Sequence, residues 1–258
     1  MDYSVIAACI AFGLFLGMLL LLEVGRRIGK RRHARDAEGA RAGIGAIEGS
    51  MFGLLGLLIA FTFSGAASRF DHRRMQIVEE ANAIGTAYLR IDLMPAEQRD
   101  SMRARFREYL DSRLKAFELV PDLKAVDAEL ARTAQIQDAI WKSAMEGVAA
   151  SGPGPLAMLF VPAVNQMFDM GTARTATARL HPPMVIFALL ASLTLIGALL
   201  AGFGMAGGKA RSPLHMVAFA LVMATTVYVI ADIEYPRIGL LKVDDFDIVL
   251  NDLRRSMN

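Results

Sequence analysis

Four stretches of the chain contain no Asp, Glu, Lys or Arg: Val5 to Leu22, Met51 to Ala67, Met184 to Ala206 and Leu214 to Ala231. At 1.5 Å of helical rise per residue, each is about long enough to cross ~30 Å of hydrocarbon, so the pattern predicts four transmembrane helices. No basic residue precedes the first run and a cluster of arginines follows it, which predicts a retained anchor rather than a cleaved leader. Between the second and third runs the polar residues return with a helical period. Met102, Phe106, Leu110, Leu114, Phe117 and Val120 recur at steps of three and four behind Pro95 and Glu97, predicting an amphipathic helix. Pro121 ends that stripe, and Leu123, Val126, Leu130, Ile136 and Ile140 begin another, so the two face each other as a hairpin. The break Ser151-Gly152-Pro153-Gly154-Pro155 precedes a third helical stretch, Leu156 to Ala178, which leads to His181-Pro182-Pro183. No segment alternates as a strand would.

The fold class expected is therefore all-α: four transmembrane helices with an α-helical soluble domain inserted between helices 2 and 3. The expected boundaries are transmembrane helices 1 and 2 with a basic connecting loop over 1–67, a helical extramembrane domain over 68–182, transmembrane helices 3 and 4 over 183–234, and an extramembrane C-terminal tail over 235–258.

Composition narrows the function. The 258 residues are 54% hydrophobic with a mean hydropathy of +0.39, and the net charge is only +2, too balanced for a nucleic-acid-binding surface. The single cysteine, Cys9, excludes a disulfide framework or thiolate cluster. The four histidines, His33, His72, His181 and His215, lack zinc-binding spacing. No phosphate-binding loop, nucleophile elbow or dinucleotide fingerprint is present, so neither an enzyme nor a cofactor is expected. From Ser68 to Pro182 there are 15 basic and 15 acidic residues, a neutral and well-solvated segment. Basic residues gather after the first run, at Arg26, Arg27, Lys30, Arg31, Arg32, Arg35 and Arg41, with Lys209 and Arg211 between the third and fourth. By the positive-inside rule these sides are cytoplasmic and the amino terminus is outside. Arg69, Arg73, Arg74, Arg237 and Lys242 weigh on the other side.

The second run passes from apolar, through small, into charged residues without a helix breaker, which predicts one long helix. On it Gly53, Leu57 and Phe61 lie at i, i+4 and i+8 on one face. Around an oligomer axis such a stripe forms apolar rings of the kind that gate ions by dewetting. The same spacing, with Gly49 and Gly56, also suits helix-on-helix packing through small residues, and spacing by itself favours packing.

The stretch Phe61-x4-Ala66-x2-Arg69-Phe70-x2-Arg73 resembles the end of the pore-lining second span of the bestrophins, where an aromatic gate residue precedes small and polar residues and an Arg-Trp-Trp-like signature. Asp232-Ile-Glu234-Tyr-Pro236-Arg-Ile-Gly239 is similar to the acidic Ile-Glu-x-Pro-Phe-Gly stretch after that family's last span. The run from Gly53 through Gly65, the segment Glu79-Glu80-Ala-Asn82-Ala-Ile-Gly85-Thr86 and Glu234-Tyr-Pro236-Arg237 are similar to a bacterial group with a bestrophin-like domain. The resemblance spans most of the chain. It implies a pentameric, multi-pass ion channel of the cell (inner) membrane, with the second span lining a narrow neck, both termini cytoplasmic, and no cofactor. That orientation is opposite to the one the charges imply. Leu57 and Phe61 would hold neck positions, with Gly53 in place of a bulkier first member. Phe70 and Asp71 depart from the family, standing where two tryptophans are expected, and the only Trp is Trp141.

Polar residues beside the apolar stretches are candidates for ion pairing or an ion path: Arg69, Arg73, Glu79, Glu80, Asn82, Asp232, Glu234 and Arg237, with Asn165, Asp169 and Arg174 on the third soluble helix. Structural ion pairing is the expectation favoured over ion selection. Asp232 and Glu234 without a ligand loop make a poor calcium site, so no metal is expected. The expected function is an oligomeric channel passing small inorganic ions, anions such as chloride or monovalent cations, with the lipid bilayer and further copies of itself as partners. The alternative is a non-transporting membrane scaffold or sensor acting through the helical soluble domain.

Overall fold

A computed structural model describes residues 3–35, 44–152, 154–207, 213–240 and 244–257. Arg41, Pro153, Lys209, Arg211 and Lys242, used in the sequence argument, lie outside the described residues. The described residues are helical with no strand, and four helical stretches are long and apolar enough to cross a membrane. Two units divide the chain: residues 1–69 with 181–241, and residues 70–180 with 242–258.

The first unit is built from α1 (Tyr3–Arg35), residues 44–69 of α2 (Ile44–Leu89), α6 (Met184–Gly204) and α7 (Pro213–Glu234). Leu14, Met18 and Leu22 fall at i, i+4 and i+8 on α1 and bury against Ala198 of α6 and Met216 and Ala220 of α7. The backbones of α1 and α6 meet at glycines. A Cβ on Gly25 would collide with the Leu199 carbonyl, and one on Gly202 with the Leu22 carbonyl, so only hydrogen fits at either place. Gly202→Val should therefore overpack this crossing by about 1–3 kcal/mol. A lowered unfolding midpoint in detergent, followed by circular dichroism, is the check. The basic segment after the first apolar run is helix rather than loop as far as Arg35. It contains no Pro, and Glu23 bonds Arg26 and Arg27 at i+3 and i+4, which extends the helix.

The second unit holds residues 70–89 of α2, a 3-10 turn (Arg90–Leu93), α3 (Ala96–Glu118), α4 (Leu123–Ser151), α5 (Val161–Arg179) and α8 (Ile248–Ser256). The expected hairpin is α3 with α4. Met102, Phe106 and Leu110 pack with Ile136 and Ile140 in one core that also takes Ile77 and Ile84 of α2. Leu123 departs from its stripe and is 70% exposed, because it opens the first turn of α4 just beyond Asp122, whose side chain accepts from the Lys124 and Ala125 amides and caps the helix. Before α5 the helix winds as a π turn over Leu156–Phe160. Pro162 has no N–H to offer the carbonyl four residues back, so the ladder shifts there. The C-terminal residues, expected only as an extramembrane tail, supply α8. Leu250 is fully buried, Tyr88 and Arg107 donate to the Met257 carbonyl at 3.0 Å each, and Arg254 grips Asp111 with two nitrogens at 2.7 and 3.1 Å. A nine-residue helix is too short to be stable alone, so this packing is what forms it.

Candidate functional site

The apolar part of α2 is a continuous helix, which puts Gly53, Leu57 and Phe61 on one face as the spacing predicts. Among the described residues nothing of its own chain covers that face. Leu57 is 53% and Phe61 68% exposed, and a Cβ built on Gly49, Gly53 or Gly56 would meet nothing within 4 Å. Only Leu55 and Ala66 of this stretch are buried, and Phe52 meets Phe219 of α7 edge-on at 6.3 Å. Among the described residues no helix of the same chain packs on these glycines, so the helix-on-helix packing that spacing favours would have to involve a second copy. The Thr62 hydroxyl, beside the stripe's end, donates back to the Leu58 carbonyl at 2.7 Å and so stays satisfied inside the helix.

Two of the predicted polar residues meet in the first unit. Arg69 donates through two nitrogens to one oxygen of Glu234, at 2.9 and 2.8 Å, and the Glu234 side chain is fully buried. His181 completes this group from the chain just before α6. Its Nδ1 lies 3.4 Å from the other Glu234 oxygen, and its ring stacks on Tyr235 at 4.4 Å. Asp232 plays a different part: its carboxylate accepts the Leu240 amide at 2.8 Å and closes the turn after α7. Gly239 sits so near that a Cβ there would collide with that carboxylate, which explains the glycine in the Glu-x-Pro-x-x-Gly stretch. Arg237 is partly buried in the same turn.

In the second unit the structure separates Glu80 from its neighbours Glu79 and Asn82. Glu80 is fully buried, with Arg113 Nε on one oxygen at 2.5 Å and Arg174 Nη1 on the other at 2.7 Å. Arg174 reaches on to the half-buried Asp247 at 2.7 Å, which extends the group toward the surface. The remaining Arg113 nitrogens donate to the Gly171 carbonyl and the Thr175 hydroxyl at 3.0 Å each, and both guanidiniums lie over the Phe117 ring. Opposite charges in direct contact and hydrogen-bonded donors are what permit charges in an apolar interior. Glu79 and Asn82 instead face out on α2, and Arg73 donates to the Leu180 carbonyl at 2.8 Å. The sequence reading missed Arg113, His181 and Asp247. For Arg113 a signal existed: it falls at i+7 from Phe106, on the apolar stripe that includes Tyr109 and Leu110, where a cation must find a buried partner.

Burial pushes the Glu80 carboxyl up, but the two arginines outweigh it and hold it below the usual carboxylate range. Burial also pushes the Tyr109 phenol up to about 12, with the Glu80 charge adding and Arg113 opposing, so Tyr109 remains a neutral hydroxyl. Because the native Glu80 binds a proton less readily than the unfolded one, its contribution is complete above the ordinary glutamate range and is lost as pH falls through the lowered native value. The unfolding midpoint should thus hold steady down to about pH 5 and drop below about pH 4. Part of that acid slope should vanish in Glu80→Gln; an unchanged slope would remove Glu80 from the explanation.

The sequence matches the bestrophin-like domain over residues 12–246, almost its full length. The chain belongs to the bestrophin-like domain family. Bestrophin homologues also share its fold. A single-substitution variant of the bacterial bestrophin homologue from Klebsiella pneumoniae superposes with a TM-score of 0.72 at 13% identity, covering 96% of each chain. Another variant of that homologue gives 0.71 at 14% identity over 93% of this chain and 96% of the other. A further crystal structure, described as a membrane protein, gives 0.69 at 15% over 94% and 96%. No curated protein matches. Family and apolar helices together make this bestrophin-like chain a membrane protein.

Proposed function

We propose that the protein is an oligomeric ion channel whose pore is lined by α2, with Gly53, Leu57 and Phe61 forming its narrow apolar section and residues 68–182 lying outside the bilayer. One observation carries this reading. The most apolar window of the second candidate span is only 6% buried within the chain, against 22%, 28% and 33% for the other three. Its outward face mixes Gly53, Ala60 and Ser64 with Leu57 and Phe61, a surface too poor in bulk to suit lipid on every side but well suited to close approach around an axis. A pentamer follows the bestrophin pattern. The cargo is small inorganic ions, chloride or monovalent cations, moved passively in the cell (inner) membrane. Arg69, Glu234 and His181 then serve as a clamp between spans rather than as an ion filter, since Glu234 is closed to solvent. A scaffold function through the α3–α4 hairpin has less support, because Phe106, Leu110 and Ile140 are consumed in the unit's own core.

Thiol accessibility tests the pore. In a Cys9→Ala background, which removes the only cysteine, Leu57→Cys should lose ion flux on treatment with a water-soluble thiol reagent. Ile59→Cys, about 200° round the helix, should keep it. Equal block at both positions, or no flux from any form in liposomes, would overturn the reading.

A further inference from the structure

The second unit contains a cleft of about 400 Å³ between α2 and α5. One wall carries Glu79, Asn82 and Thr86 at i, i+3 and i+7, and the other Gln166 and Met170, with Ala83 and Ala163 as a floor. Both alanines are buried, and their short side chains leave the space open; a larger residue at either would fill it. Among the described residues no side chain of Glu79, Asn82, Thr86 or Gln166 makes a hydrogen bond or ion pair with the rest of the chain. The contrast with the next residue is sharp, for both Glu80 oxygens are taken by arginines. Four polar groups are thus aimed into one concavity and left unspent by the fold.

Their chemistry selects the occupant. The lining has one formal charge, the Glu79 carboxylate, and no cation to neutralise it, so an anion is repelled. A hard divalent cation calls for six to eight oxygens and usually more than one carboxylate, and among the described residues no group of three metal-ligating side chains occurs. An ammonium group has three donors and no acceptor, and here it meets a carboxylate, two amide carbonyls and a hydroxyl as acceptors. Beside them the Met170 thioether and the two alanine methyls offer an apolar wall for a short alkyl chain. We infer that this cleft is a binding site for a primary alkylammonium ion, held by Glu79 with Asn82, Thr86 and Gln166 and with its alkyl chain against Met170. The site does not depend on the pore assignment.

The probe is n-butylammonium chloride, titrated into the purified full-length chain in detergent and followed by saturation-transfer NMR. Saturable binding on the order of millimolar is expected for so small and open a site. Glu79→Gln, an exposed position that leaves the core intact, should weaken it roughly tenfold through loss of the charge-assisted bond. Asn82→Leu should weaken it as well, while Glu97→Gln, exposed on α3, should not. Neutral 1-butanol should fail to compete. The inference is overturned if Glu79→Gln binds as well as the parent, if 1-butanol competes equally, if no saturation is reached, or if a basic side chain of a second copy fills the cleft in the oligomer.

Discussion

Leu57→Ala/Phe61→Ala protein reconstituted in liposomes should pass ions about ten times faster than the parent chain, since ~1.4 kcal/mol off a barrier is tenfold in rate. An apolar constriction opposes ions chiefly by excluding water, and the penalty scales with the apolar surface presented. Exposing one large apolar side chain to water carries a cost of roughly 1.5–3 kcal/mol, so truncating two from each subunit readily lowers the barrier by that much. The stability of the single chain should scarcely move. Both side chains are more than half exposed, so the loss of packing within one chain should stay within about 0.5 kcal/mol. Flux at parental level together with loss of the oligomer would show that the stripe packs subunits and does not line a pore. Flux measured beside size-exclusion chromatography therefore separates the two roles.

Glu80→Ala should be the most destabilising single change in the second unit. It would leave the buried Arg113 and Arg174 guanidiniums without the carboxylate that bridges them. Removing one partner from a buried ion pair costs about 3–5 kcal/mol, a large part of the ~5–15 kcal/mol that holds a typical domain folded. Hydrogen exchange should report the loss first in the amides of α3 and α5, which carry the two arginines, and limited proteolysis should then cut within residues 70–180. Glu80→Gln keeps an acceptor oxygen and should cost less than Glu80→Ala. If Glu80→Ala protein exchanges and resists protease like the parent, the buried group is not what holds these helices.

Much of the architecture was legible in the residues. Four charge-free runs predicted four spans because the bilayer admits only segments of that length and polarity, and α2 was read as one helix because nothing between Met51 and Arg74 breaks it. The α3–α4 hairpin followed from a 3.6-residue period bounded by Pro121. Less was legible where partners are distant in sequence. Arg69 and Glu234 were both singled out, yet nothing in their spacing says that they meet, 165 positions apart. His181 gave no signal, since a lone histidine beside two prolines reads as a loop residue.

The sequence by itself determined the class of the protein: helical, membrane-spanning and bestrophin-like, with a long second helix bearing the Gly53, Leu57 and Phe61 stripe. These are properties of composition and period, which are local and survive without knowledge of neighbours. The tertiary structure decided which polar residues are spent and which are free. Glu79, Glu80 and Asn82 lie within four positions, but α-helical geometry turns successive residues by about 100°, so Glu80 is driven into the core between two arginines while Glu79 and Asn82 open onto the cleft. It also decided that, among the described residues, the α2 stripe has no partner in its own chain, because α1, α6 and α7 satisfy one another through close backbone contact at glycines and through Met18 and Leu22, leaving that face of α2 uncovered.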